Sequence, residues 1–193
     1  MTDRVYHDEE YSDEELVEQF RTGDSAAFQE LYDRYYNRIF RIVFHYTGDT
    51  DMTEDIVHDV FIRVLRHMDS FNVERKFSSW IYRIAVNCSK NDINRRVKDH
   101  DLTEQVRYRF RDEPVKSRSP EDQIIEKTEL HELEQAVREL GDRFRDVFIL
   151  RYTEGMPYRD IARVMKCSER TAKWRMKRAL QQIHHYLNER GML

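Results

Sequence analysis

The densest basic stretch of the chain lies near its C-terminal end. Residues 163–178 carry Arg163, Lys166, Arg170, Lys173, Arg175, Lys177 and Arg178 against a single acid, Glu169. They belong to a run from Tyr158 to Ala179 in which Ile161, Val164, Met165 and Met176 fit two short helices around the turn Lys166-Cys167-Ser168. Ala162 and Ala172 are small enough to let those helices cross, and Ser168 is a good cap for the second. The pattern predicts a helix-turn-helix. Its second helix presents Arg170, Thr171, Lys173, Trp174, Lys177 and Arg178. That set suits a DNA major groove: Arg and Lys read guanine edges, Thr meets a thymine methyl, and flanking cations grip phosphates. A charged helical hairpin is the competing reading, and the excess of cations weighs against it. Trp174 fits either a core or a groove contact.

A second surface comes from the helix that starts near Phe77. With Arg83 as the origin of a helical wheel, Asn87, Lys90, Asn91, Asn94 and Lys98 fall between about −20° and +80°, and Trp80 near about 60°. The acid Asp92 falls on the far side, near about 180°. This face combines cations, amides and an aromatic ring. Such a face suits phosphates, base edges and stacking on an unpaired base. The preceding loop adds Phe71, Asn72, Arg75 and Lys76. Here too a solvated face with Trp80 packed beneath the loop is the plainer alternative.

Other chemistry is scarce. Asp55 and Asp59 stand one turn apart beside His58 and Arg63, but no second cluster completes a metal site, so a protein-binding or solvated face is expected. Cys88 and Cys167 form no CxxC pair and read as reduced thiols. There is no HExxH, P-loop or GxSxG. The sequence therefore predicts a protein that is not an enzyme and needs neither metal nor cofactor.

The elements that position these residues are helices. Only 5 Gly and 3 Pro occur in 193 residues, with 39% hydrophobic and 36% charged residues. That balance excludes a disordered chain and a membrane span, and it disfavours β-sandwiches and Gly-rich nucleotide folds. The N-terminus lacks a signal peptide, so the cytoplasm is expected. A short helix over Asp13 to Phe20 is closed by Gly23, and Asp24 caps a second that carries an apolar stripe from Phe28 to Val43 and is broken at Thr47-Gly48-Asp49. The third carries the clearest apolar stripe: Ile56, Val57, Val60, Phe61, Val64, Leu65 and Met68. The fourth runs from Phe77 to about Lys98. Residues 99–120 read as a flexible linker. Ser119-Pro120 then starts a helix with the stripe Ile124, Leu130, Leu133, Val137 and Leu140, which Gly141 ends. Phe144 to Tyr152 and the helix-turn-helix, with Pro157 at the first helical position, complete the chain. The fold class is thus all-α: two small helical domains, 1–98 and 121–193, joined by the linker. The net charge of −4 hides a polarity. Residues 1–30 hold ten acids against two basic residues, opposite in sign to the basic tail segment. Separate partners for the two ends are expected.

Four stretches together resemble the extracytoplasmic-function sigma factors, small two-domain specificity subunits of bacterial RNA polymerase. They are Gly23-Asp24-Ser25-Ala26-Ala27-Phe28, Asp55-Ile56-Val57-His58-Asp59-Val60-Phe61, the run from Phe77 to Asn87 with Trp80-Ile81-Tyr82-Arg83-Ile84-Ala85-Val86-Asn87, and the helix-turn-helix. The resemblance covers nearly the whole chain outside the first dozen residues and the linker. It implies a role for each surface. Asp55, His58, Asp59 and Arg63 would dock on the polymerase core, chiefly the β′ coiled coil beside the β subunit. Phe71, Asn72, Phe77, Trp80, Arg83, Ile84 and Asn87 would melt the minus-10 element and hold a flipped base, with Lys90 and Asn91 toward the upstream duplex. Arg170, Thr171, Lys173, Trp174, Lys177 and Arg178 would read minus-35 DNA. The resemblance further implies an anti-sigma partner. His58 stands where the family usually has Gln, which makes pH-sensitive docking an expectation. Trp174 is bulkier than is common at its position, so promoter preference does not transfer from relatives.

Two rivals remain at this level. A free-standing helix-turn-helix regulator would bind duplex DNA without polymerase, typically as a dimer on a palindrome. An RNA-binding adaptor would use the Trp80 face with little sequence preference.

Overall fold

The computed structural model describes residues 11–99 and 132–192, and every regular element among them is helical. The acidic residues 1–10, most of the 99–120 linker, the Ser119-Pro120 helix start, Ile124 and Leu130 lie outside the described residues.

The N-terminal half is four helices: α1 (Asp13–Arg21), α2 (Ser25–Thr47), α3 (Thr50–His67) and α4 (Phe77–Asp99), with a 3₁₀ turn at Met68–Ser70. Their starts are written in the sequence. Ser12 and Glu15 form a reciprocal capping box on α1: the Glu15 N–H donates to Ser12 Oγ at 3.3 Å and the Ser12 N–H to Glu15 Oε2 at 2.8 Å. Asp24 Oδ1 accepts from the Ala26 N–H at 3.0 Å, and Asp49 Oδ1 from Met52 at 2.8 Å. After α1 the chain turns at Gly23, whose φ of +103° favours glycine.

Apolar stripes on α1–α4 converge on one core that includes Val17, Ile39, Ile42, Val60, Val64, Phe77, Ile81 and Ala85, all essentially inaccessible to solvent. Thr47 and Thr53 lie inside it. Their hydroxyls pair at 2.6 Å, and Thr53 also bonds the Asp49 carbonyl at 2.6 Å. Two otherwise costly buried hydroxyls thus tie the end of α2 to the start of α3.

In the C-terminal half, a helical segment over 132–139 (α5) precedes α6 (Asp142–Tyr152), α7 (Tyr158–Val164) and α8 (Glu169–Glu189). Leu140, Val147, Leu150, Ile161, Ala172, Met176 and Ala179 are buried between them. Pro157 is the N-cap of α7, one position earlier than the sequence suggests.

The two described halves pack against each other. Helix α7 packs on α4, α6 touches α2, and the buried apolar side chains of both halves form one continuous cluster. Polar links seal the seam. Asp146 is buried and accepts from the Tyr46 hydroxyl at 2.7 Å while pairing with Lys90. Glu154 meets Arg41 at 3.1 Å and the Tyr82 hydroxyl at 3.1 Å. Asp160, also buried, meets Lys76 at 3.0 Å.

Candidate nucleic-acid and protein interfaces

The first surface is α8. Its start is fixed by Ser168, whose Oγ accepts from the Thr171 N–H at 3.0 Å and lies 2.8 Å from the Thr171 hydroxyl. The preceding turn needs Lys166 at φ +49°, an uncommon conformation for a side-chain-bearing residue. Ala172, Met176, Ala179 and Ile183 face the core. The opposite side carries Arg170, Lys173, Trp174, Lys177 and Arg178, all exposed, with Thr171 half-buried at the edge. Trp174 is 53% exposed, so it belongs to the outer face, propped by Phe144 at 6.0 Å between ring centroids and flanked by Arg178 at 5.9 Å. Glu169 pairs with Lys173 at 2.6 Å. The acid that opens α8 therefore neutralises one recognition cation and leaves the other basic residues of this face exposed.

The second surface is α4 with the loop before it, and here the structure divides the predicted set. Phe71 and Phe77 are buried. Their rings meet edge-on at 5.7 Å, and Trp80 lies on both, at 4.9 and 5.6 Å. The two phenylalanines therefore pack beneath the half-buried Trp80. Ile84 is half-buried and packs against the core. Asn72, Asn87 and Asn91 are exposed. Asn72 accepts the Glu74 N–H at 2.8 Å through Oδ1, so its amide donors are the part turned to other uses. Asp92 on the far side of α4 is matched by Arg95 and Arg96.

Around Trp80 opens a cleft of about 740 Å³, lined by Arg75, Lys76, Ser79 and Arg83 from one half and by Arg159 and Arg163 from the other. The side chains of Ser79 (Oγ) and Arg83 (Nε) are buried there without a hydrogen-bond partner. Arg83 Nη2 donates to the Arg163 carbonyl at 2.5 Å. Burial, and after it the neighbouring Arg75, pulls the Arg83 guanidinium below its ordinary pKa. A second cleft of about 470 Å³ continues along α4 past Asn87 and Lys90 to Arg143 and Arg175. The predicted cations are brought together, but α6 and α7 lie against them. Periodicity could not reveal this, because Lys90 and Asp146 are 56 residues apart and Tyr46 and Asp146 are 100 apart.

The third surface is the outer side of α3. Asp55, His58, Asp59 and Arg63 are all exposed there, above the inward stripe of Ile56, Val57, Val60 and Val64. Among the described residues no group of three or more His, Cys, Asp or Glu could hold a metal ion. Both cysteines are free. Cys88 is buried, and desolvation pushes its thiol above the ordinary value. Among the described residues no helix is long and apolar enough to cross a membrane.

Comparison with known proteins follows this division. The model of Sigma-70 region 2 matches residues 31–98, and that of Sigma-70 region 4 matches residues 130–183. The RNA polymerase sigma-H factor of Pseudomonas aeruginosa is 32% identical over 176 residues, covering 89% of this chain and 91% of that protein. The ECF RNA polymerase sigma-E factor of Escherichia coli K12 is 31% identical over 180 residues, covering 91% and 94%. Among solved structures, CnrH in complex with the cytosolic domain of CnrY superposes with a TM-score of 0.70 at 22% identity, over 93% of this chain and 99% of that one. RpoE from Bartonella quintana, in complex with the anti-sigma factor NepR, gives 0.65 at 21%, over 83% and 96%. The structural likenesses show the fold. With relatives above 30% identity aligned over nine-tenths of their length, and both sigma regions matched in order, the chain belongs to the sigma-70 family of RNA polymerase sigma factors, in its extracytoplasmic-function branch.

Proposed function

We propose that this sigma factor divides its work among the three surfaces described above. Exposed Asp55, His58, Asp59 and Arg63 on α3 dock on core polymerase. Arg170, Thr171, Lys173, Trp174, Lys177 and Arg178 on α8 read the minus-35 duplex. Asn72, Trp80, Arg83 and Asn87 engage the melted minus-10 strand, Lys90 and Asn91 point toward the upstream duplex, and Phe71, Phe77 and Ile84 hold that surface in shape. The observation that carries this reading is the composition of the α4 surface. Cations, amides and a stackable ring lie beside two basic clefts, on the same chain as a helix-turn-helix whose basic outer face is open. A regulator that reads only duplex DNA has no use for an aromatic-backed loop of this kind.

The geometry also supports two states. In the form described, Asp146 and Asp160 pair with Lys90 and Lys76, and the Arg163 carbonyl takes a hydrogen bond from Arg83. Carboxylates and a carbonyl stand where DNA phosphates would be bound. Transcription requires the halves to separate, and tethering on polymerase then lets two weak DNA contacts act as one. The factor works as a binding subunit in the cytoplasm rather than as a catalyst. A protein that holds the halves together would act as an anti-sigma factor, the class of partner with which the Bartonella RpoE was solved.

Run-off transcription with bacterial core polymerase on a pooled promoter library tests the reading. Factor-dependent transcripts that share two spaced elements support it. Duplex binding without core, and no transcript with it, refutes it in favour of a free-standing regulator.

A further inference from the structure

The loop between the 3₁₀ turn and α4 carries Phe71, Asn72, Arg75 and Lys76. Its own hydrogen bonds are few: the Phe71 N–H to the Met68 carbonyl at 3.1 Å, the Arg75 N–H to the Asn72 carbonyl at 3.0 Å, and the Glu74 N–H to the Asn72 side chain. Its two ends are held instead from α1. The Arg21 guanidinium donates to the Met68 carbonyl through Nε at 3.2 Å and Nη2 at 2.7 Å, to the Asp69 carbonyl at 3.1 Å, and to the Phe71 carbonyl. At the other end Glu14 Oε1 accepts the Phe77 N–H at 2.7 Å. That N–H opens α4 and has no partner within the helix, and a carboxylate at a helix N-terminus is favoured by the dipole.

Glu14 and Arg21 are seven residues apart, two turns of helix. They therefore share one side of α1, separated along its axis by about 10 Å. Helix α1 is itself fixed. Leu16 and Val17 are buried, and Asp13 pairs with Arg34 at 3.1 Å and with the Tyr35 hydroxyl. Both residues lie outside the stretch matched by the region 2 model.

We infer that α1 is a rigid two-point clamp whose Arg21 and Glu14 position the minus-10 reading loop by gripping its two ends. The inference rests on the assignment of that loop under the proposed function. Three carbonyls converge on one planar, permanently charged donor fork, a geometry that a lysine ammonium on a single point does not reproduce. Without the fork, the carbonyls of Met68, Asp69 and Phe71 lose a shared charged donor. The Phe71 ring that supports Trp80 is then free to shift, and the register of Asn72 relaxes.

The test uses full-length protein in holoenzyme with core polymerase. Arg21→Met, Arg21→Lys and Glu14→Ala are compared with the unaltered chain on a factor-dependent promoter and on the same promoter with single substitutions in its minus-10 element. The readout is the ratio of open-complex formation on matched over substituted DNA, followed by 2-aminopurine fluorescence. A smaller folded fraction lowers both rates equally and leaves this ratio unmoved. The expected result is a fall in the ratio on the order of tenfold for Arg21→Met, the scale of one lost hydrogen bond to a charged group. Glu14→Ala should fall less, and Arg21→Lys should lie between Arg21→Met and the unaltered chain. An unchanged ratio in Arg21→Met and Glu14→Ala overturns the clamp, whatever happens to total activity. If Arg21→Met fails to fold, Arg21→Lys and Glu14→Ala decide the matter on the same criterion. A ratio near one for the unaltered holoenzyme overturns the loop assignment itself, and the clamp with it.

Discussion

Replacing Asp146 by Ala should loosen the two halves and uncover the α4 surface. Its two described hydrogen-bond partners, Tyr46 and Lys90, both lie across the seam, so the change acts on closure more than on the C-terminal fold. The Tyr46 bond is buried and charge-assisted, worth about 1.5–3 kcal/mol. The Lys90 side chain is 29% exposed, so its ion pair adds only about 0.5–1 kcal/mol. Together these give about 2–4 kcal/mol, and removing a buried carboxylate also recovers its desolvation cost, which favours the lower end. The lower figure corresponds to about a 30-fold shift toward the open state. Binding of the free factor to a single-stranded minus-10 oligonucleotide should tighten by up to that factor, because apparent affinity scales with the competent fraction. Fluorescence energy transfer between dyes on the exposed residues 54 and 182 reports the separation directly. Tyr46→Phe should give a smaller shift, and the double variant should fall short of additivity because the residues share one bond. A folded Asp146→Ala variant with unchanged transfer and unchanged oligonucleotide affinity would refute the claim that these links hold the halves closed.

Four further outcomes are expected. Glu154 has a raised pKa, chiefly through burial, with Arg41 and the Tyr82 hydroxyl only partly opposing it. A carboxyl raised in the folded state costs stability at neutral pH and regains it as pH falls between its raised value and the ordinary value of 4.5. Glu154→Gln keeps an acceptor for Tyr82, so its melting temperature at pH 7 should equal or exceed that of the unaltered chain, and the difference should shrink on acidification. A clear loss of stability at pH 7 contradicts this. Phe77→Ala should destabilise the N-terminal half by about 3–5 kcal/mol, as for other fully buried aromatics. Trp80→Ala should cost less stability yet more single-strand affinity, and chemical denaturation beside oligonucleotide titration separates the two. Ser168→Ala removes the cap of α8 and should cost about 1 kcal/mol, seen as weaker minus-35 duplex binding with minus-10 binding unchanged.

Local chemistry was readable wherever it acts between near neighbours. The caps at Asp24 and Ser168, the turn at Gly23 and the stripe of α3 depend on residues within a few positions of one another, and the crossing at Ala162 and Ala172 on residues ten apart across one short turn. The helix-turn-helix face was readable for the same reason. What escaped depends on contacts far apart in sequence. Phe71 and Phe77 beside basic residues look like a stacking platform, and their burial follows from packing under Trp80. Asp146 and Asp160 sit in helical runs where an acid reads as solvated, yet each is almost wholly buried: Lys90 of the opposite half pairs with Asp146, and Lys76 of the opposite half joins the neighbouring Arg163 on Asp160. Arg21 looks like an ordinary basic residue at a helix end, a position that the helix dipole alone would explain. Its grip on carbonyls 47–50 residues away has no local signature.

The closed arrangement treats the two DNA-reading surfaces unequally. Arg170, Lys177 and Arg178 stay exposed on α8, whereas Arg83 and Lys90 on α4 are engaged by the opposite half. On the assignment proposed above, the free factor can touch duplex DNA through α8 but has its strand-capturing surface occupied. The contact left to it is short and phosphate-dependent, and the net charge of −4 works against it. Firm promoter binding then requires both surfaces together, and separation of the halves is what makes the second available. Polymerase needs only to favour the open state by more than the interdomain links oppose it, and at a few kcal/mol that is within reach of an ordinary protein interface. A protein that bridges the halves gains the same few kcal/mol in the opposite direction. On the two-state reading proposed above, the seam formed by Asp146, Glu154 and Asp160 is the point at which activation and inhibition would compete.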